Sequence, residues 1–271
     1  MLLGGVGAGM FGSLLGLGGG ILIVPLLTFG FGLPLREAAG VSLVSVIITS
    51  SASAAVYLER HTANLRLGMT LELFTAFGAI IGGILAFSLD ERSLAGLFAA
   101  LLLYVAVSML RRKETPAVVP APPDPGLTGV SADPLTAATA IERLSGPGYR
   151  IERLGAGVVG SVAAGIVSAL LGIGGGLVKV PVMHLIMGVP LRVATATSNL
   201  MIGVTASASA IIYLARGGID PYVAGPTAIG VFVGASIGSR TAHRIDVRVL
   251  RLLFAAVLLY TAWQMLGKAL S

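Results

Sequence analysis

The sequence predicts an all-α polytopic membrane protein made of two homologous four-segment repeats, each opening with a glycine-broken or re-entrant helix. Composition, a series of apolar runs and an internal duplication predict it. Of 271 residues, 55% are hydrophobic and only 11% are charged, with a mean hydropathy of +0.94. Soluble domains carry about a quarter charged residues, so most of this surface faces lipid rather than water. The 38 glycines suit helices in a bilayer, where small residues let backbones approach closely. No cysteine is present, which removes disulfides, thiolate metal sites, iron–sulfur clusters and cysteine nucleophiles. A formal charge of +6, in so apolar a chain, reads as loop charge against anionic headgroups and not as nucleic-acid binding.

A membrane span needs roughly 20 apolar residues. Such runs lie at 2–31, 36–58, 67–89 and 94–110, and again at 155–187, 193–215, 219–237 and 249–266. The first run lacks the positively charged start and small-residue cleavage site of a signal peptide. Between the two sets the chain reads RRKETPAVVPAPPDPG and then a mixed stretch ending YRIERL, a loose linker rich in proline and charge. The expected organisation is a first membrane repeat at 1–110, a linker at 111–154 and a second membrane repeat at 155–271.

Shifting the sequence by about 156 positions aligns the two sets without a gap, and about 40 of roughly 102 pairs are identical. Gly16, Gly18, Gly19, Gly20 and Pro25 fall on Gly172, Gly174, Gly175, Gly176 and Pro181. Pro34-Leu35-Arg36 falls on Pro190-Leu191-Arg192, and Thr49, Ser51 and Ser53 fall on Thr205, Ser207 and Ser209. Loop arginines and lysines address the relative orientation of the halves. If all eight segments cross, the split is a feeble one of about 10 against 7. If the first segment of each half turns back at its glycines, the split is about 13 against 4. The second arrangement predicts inverted repeats in the plasma (inner) membrane, with a cytoplasmic linker and both termini outside.

The strongest local signal is the pair GLGGGILIVP and GIGGGLVKVP. Three consecutive glycines cost roughly 1 kcal/mol each against alanine in a helix, so the helix unwinds there. Free backbone at membrane depth is tolerated where it is buried in protein or lines a wet cavity, and a half-helix N-terminus there favours an anion. The bland alternative is close helix crossing. Lys179 follows the second triplet where the first half has the apolar Ile23, and an intramembrane cation is a functional candidate unless it snorkels to the interface. His184, opposite Thr28, would relay protons or sit satisfied near a helix end; Glu72 would couple protons or lie near the headgroups beside Arg66.

The second span of each half is rich in hydroxyls, and Ser42, Thr197, Ser198 and Asn199 lie near its start. Such groups can hold the oxygens of a small anion without a second buried charge, or can bond helix to helix. The GxGxxG matches GAGMFG and GAGVVG have no acidic residue about 20 positions on and no βαβ context, so they are packing glycines. GGGLVK lacks the spacing of a phosphate loop. His61, His184 and His243 are scattered and form no metal site, no catalytic set is visible, and no cofactor is implied.

At the glycine triplets followed by Val-Pro, the Pro-Leu-Arg start of the next helix and the small residues that open it, the chain resembles the TauE/SafE sulfite exporter family of small duplicated permeases. The resemblance covers both halves and leaves out only 111–154. It departs where the family has Gly-Thr-Ser: this chain has Gly40-Val41-Ser42 and Ala196-Thr197-Ser198. The resemblance implies a secondary transporter of small anions such as sulfite, sulfonates or related sulfur-containing organic anions. It also implies that Gly18, Gly19, Gly20, Gly174, Gly175, Gly176 and the surroundings of Ser42 and Ser198 line the path. With Lys179, Thr197 and Asn199 these form the expected substrate site; His184 and Glu72 are the candidates for proton coupling, and the halves would rock to give alternating access. Other readings are a passive anion channel, an intramembrane enzyme and a structural membrane subunit. The partners expected are the anion, the bilayer and, through glycine-rich faces, a second copy of the chain.

Overall fold

The computed structural model describes residues 1–15, 19–59, 63–111, 144–145, 149–241 and 247–270. Ten helices account for nearly all of them. The first half holds α1 (Leu2–Leu15), α2 (Gly20–Gly30), α3 (Leu35–Glu59), α4 (Leu65–Ser88) and α5 (Glu91–Arg111). The second holds α6 (Leu154–Leu171), α7 (Gly176–Ile186), α8 (Leu191–Ala215), α9 (Pro221–Thr241) and α10 (Val247–Leu270). Every starting residue from α2 to α5 recurs in α7 to α10 at the same offset that aligns the sequences. Among the described residues five helices, starting at Leu65, Glu91, Leu154, Val193 and Pro221, are long and apolar enough to cross a membrane.

The long first run of each half becomes two helices, because the glycines take a backbone that side chains resist. Gly19, Gly172, Gly174 and Gly175 all have φ between +70° and +84°. In α7, and likewise in α2, a proline then removes a backbone donor, and the helix widens into a π turn at Val182–Ile186 and Leu26–Gly30. The two pieces run back to back. Gly157 and Gly160 of α6 face Met187 and Val182 of α7, and Gly175 faces Ser168, so the chain returns to the face it left. Gly4 of α1 likewise faces Leu26 of α2.

The halves pack by exchange. α1 lies along α9 of the other half, with Gly230 against Leu2 and Gly234 against Val6, and α6 lies along α4, with Gly78 against Val162 and Gly82 against Ile166. Both of these pairs run parallel. α3 and α8 cross antiparallel at the centre: Ser50 donates to Asn199 O at 2.9 Å near one end, and Gly40 meets Tyr213 and Gly218 near the other. The start of α5 lies by the end of α10, where Glu91 and Lys268 pair at 3.4 Å. These directions put the end of α3, the start of α4 and residues 149–154 on one face of the bundle, the linker face, and the start of α3 with the ends of α4 and α8 on the other. Arg36 fixes the second face: its Nε and Nη2 donate to Ala86 O and Leu89 O at 2.9 and 2.8 Å, and its guanidinium lies over the Phe87 ring.

Candidate functional site

Unwinding at the second triplet brings Lys179 inward one turn past the break. Its side chain is 2% exposed, and its ammonium meets Glu72 Oε2 of α4 at 3.0 Å and the hydroxyl of Thr205 of α8. Thr205 closes the triangle by donating to Glu72 Oε1 at 2.6 Å. Three helices from both halves therefore meet at one ion pair. Two of the three ammonium hydrogens are used, and the third has no acceptor among the described residues. Removing one partner of such a pair is costly, because it leaves an unbalanced buried charge. Glu72 also forms the inner end of an apolar cleft of about 270 Å³ between α4 and α8, whose lips are Met69, Leu73 and Val204.

The loop that leads to Lys179 passes through the middle of the bundle. Gly172 packs on Ala39, Gly174 lies between Val46 and Ile202, and Gly176 lies beside Ile202 and Ser198. The first amides of α7 that bond back are those of Val178 and Lys179, both to Gly175 O, so the N–H groups of Gly174, Gly175, Gly176 and Leu177 have no backbone acceptor among the described residues. Two buried hydroxyls flank this stretch without a hydrogen-bond partner: Ser198 Oγ, beside Gly176, and Ser168 Oγ, beside Gly175. Buried polar atoms are nearly always satisfied, and orphans grouped around free amides mark a place where a ligand or water completes the bonding.

The expected site residues divide. Gly174, Gly175, Gly176, Ser198, Lys179 and Glu72 lie in or next to this region. Gly19 and Gly20 belong to a second cluster with Ser42, whose Oγ lies 2.7 Å from Gly172 O and 3.1 Å from Gly20 O. Ser42 thus bridges the two broken helices through their carbonyls. Thr197 and Asn199 face elsewhere: the Thr197 hydroxyl accepts from the Asn64 amide at 2.9 Å, and Asn199 Nδ2 donates to Thr195 O at 3.1 Å. His184 Nδ1 is 2.9 Å from Val189 O at the end of α7. Gly18, His61 and His243 lie outside the described residues. No group of metal-binding side chains occurs among the described residues.

Thr205 and Ser168 are the members that sequence reading passes over. Thr205 has a threonine at the matching position of the other half, so it looks structural. Ser168 replaces Gly12, a difference with no charge to draw notice.

Comparison with known proteins places this arrangement. The chain is 24% identical over 270 residues to a probable membrane transporter protein, YunE, of Bacillus subtilis, covering 97% of this chain and 94% of that one. It is 26% identical over 265 residues to a probable membrane transporter protein of Methanocaldococcus jannaschii, covering 92% and 88%. A further probable membrane transporter protein, from Xylella fastidiosa, is 26% identical over 260 residues, with 93% and 90% covered. No solved structure matches. The family described as sulfite exporter TauE/SafE matches residues 1–265, a stretch that takes in both glycine loops and the ion pair between them. The chain belongs to the TauE/SafE family of membrane transporters.

Proposed function

We propose that the protein is a secondary carrier of small anions, sulfite or organic sulfonates, that works by alternating access across the plasma membrane with Glu72 as its proton-coupling group. The observation that carries this reading is the third, unused hydrogen of the Lys179 ammonium. It is a spare donor on a buried side chain, beside a loop of free amides and two orphan hydroxyls. An anion arriving there competes with the Glu72 carboxylate for Lys179. Protonation of Glu72 removes the competitor, so anion and proton bind together.

Inverted repeats are supported by the antiparallel crossings of α3 with α8 and α5 with α10, since equivalent helices crossing that way are related by an axis in the membrane plane. The loop charges favour a cytoplasmic linker and outward termini. The substrate class rests on the family's description.

Counterflow in liposomes tests the reading. Purified protein is reconstituted with labelled sulfite or sulfoacetate, and the wild type is compared with Lys179→Ala. The expected result is saturable exchange in the wild type and at least a tenfold loss in the variant, with thermal unfolding still cooperative. Non-saturable flux would favour a channel, chemical conversion of the label an enzyme, and exchange that survives in Lys179→Ala would remove Lys179 from the site.

A further inference from the structure

After the linker the chain rejoins the bundle at residues 149–153, and this short stretch packs against α4, α7 and α8 at the linker face. Ile151 is 2% exposed and packs with Leu67 and Leu71 of α4, Met183 of α7, Met187, and Ala194 and Met201 of α8. Leu71 adjoins Glu72, and Met201 is one turn from Thr205. Ile151 thus shares a packed cluster with Leu71 and Val180, the chain neighbours of Glu72 and Lys179.

The stretch is tied at few points. The Glu152 amide donates to Met187 O at 3.0 Å, and the Tyr149 hydroxyl accepts from Asn64 Nδ2 at 2.7 Å. Asn64 is the hub. Its Oδ1 caps α4 by accepting from the Leu67 amide at 3.0 Å, its own amide donates to Thr197, and its Nδ2 also reaches Leu144 O at 2.8 Å. One residue therefore couples the strap to the first turn of α4 through its side chain and to the second turn of α8 through its backbone amide, the helices that carry Glu72 and Thr205. Among the described residues the other face differs: the position matching Asn64 is Asp220, whose side chain accepts from the nearby amide of Tyr222 at 2.9 Å, and the position matching Thr197 is Val41. A covering held by Ile151, the flanking Tyr149 and Leu154, and a few part-buried hydrogen bonds, among them the Ile151 amide to Ser145 Oγ at 3.0 Å, opens more readily than a packed helix pair.

We propose that residues 149–153 are a gate on the linker face: docked, they close the aqueous route to the Glu72–Lys179–Thr205 triangle, and breaking the Asn64–Tyr149 bond opens it. The proposal rests on the alternating-access reading, but access to the triangle is measured without transport.

The chain has no cysteine, so Met201→Cys supplies a single thiol beneath Ile151. In sealed proteoliposomes, a membrane-impermeant maleimide applied to the linker face should label it at least tenfold faster when Tyr149→Phe or Asn64→Ala is added. Applied to the opposite face, it should show no change. Tyr149→Phe removes only the accepting hydroxyl and guards against a folding defect in Asn64→Ala. Equal labelling in all backgrounds, or a rise from both faces alike, overturns the gate. In a second arm, Ile151→Cys and Met187→Cys are joined by oxidation. Counterflow should stop and return on reduction, and counterflow that persists in the locked form overturns the gate while leaving the carrier intact. If the unlocked protein shows no counterflow, the transport reading fails and the labelling result alone decides the gate.

Discussion

The two halves place different chemistry on matching backbone. Where the second broken helix carries Lys179, the first carries Ile23, fully buried; where α4 carries Glu72, α9 carries Ala228. Both Thr205 and the equivalent Thr49 bond back to their own helices, Thr205 to Met201 O at 3.1 Å and Thr49 to Ser45 O at 3.2 Å and Val46 O at 3.1 Å, and Thr205 also bridges the ion pair. The same corner is thus filled once by hydrocarbon and once by charge. The first half fills this corner without an ion pair, in keeping with the small net worth of buried pairs against apolar packing.

The largest test removes half of the charged corner. Glu72→Ala leaves the Lys179 ammonium buried beside one hydroxyl and should cost about 3–5 kcal/mol, read as a fall in the detergent melting temperature. Adding Lys179→Ile copies the apolar corner into the second half and should restore the melt while transport stays absent. A single variant as stable as the wild type would mean that Lys179 has another counter-charge.

A smaller effect separates crowding from backbone strain. Gly172 and Gly217 share φ +70°, but a Cβ on Gly172 meets Ala39 O at 2.6 Å, whereas one on Gly217 meets nothing within 4 Å. Gly217→Ala should cost about 1 kcal/mol for the left-handed backbone, and Gly172→Ala a further 1–3 or so for overpacking. Chemical or thermal unfolding of the two side by side checks the gap, and equal costs would mean that the loop yields at the Ser42 bridge.

Smallest of all is the threonine pair. Thr205→Val should cost roughly 1 kcal/mol through its two bonds to charged groups, and Thr49→Val should cost less, because its corner holds Ile23 and Ala228 in place of the ion pair. Equal effects would show that the Thr205 bridge adds nothing beyond its helix.

The helices were legible because lipid imposes a plain rule on composition, and the breaks in α2 and α7 because consecutive glycines have no good alternative in the middle of an apolar run. Lys179 stood out for the same reason: it is a charge where the matching position is Ile23. Glu72 was visible as a carboxylate in an apolar run, with a coupling role and a place near the headgroups both open, and its pairing with Lys179 joins residues 107 apart in sequence, a distance that no periodicity spans. Read together as two opposite charges that depart from the repeat, Lys179 against Ile23 and Glu72 against Ala228, they would have pointed to each other. Thr205 stayed hidden because its counterpart is identical and only the surroundings differ. The strap was illegible, since Tyr149 and Ile151 close a stretch whose proline and charge read as loose linker, and burial pushes the Tyr149 phenol above its ordinary value only because the chain folds back there.

The glycine contacts between α1 and α9 and between α4 and α6 set what can move. At Gly78, Gly82, Gly165, Gly230 and Gly234 the backbones touch so closely that a single methyl would strike the neighbouring carbonyl. Helices in such contact slide and tilt together or not at all. The rigid pieces of this protein are therefore hybrids, each assembled from both halves of the gene product. A boundary drawn on the sequence at the linker is not a boundary of the mechanics, and cutting the chain there would leave the machine in one piece.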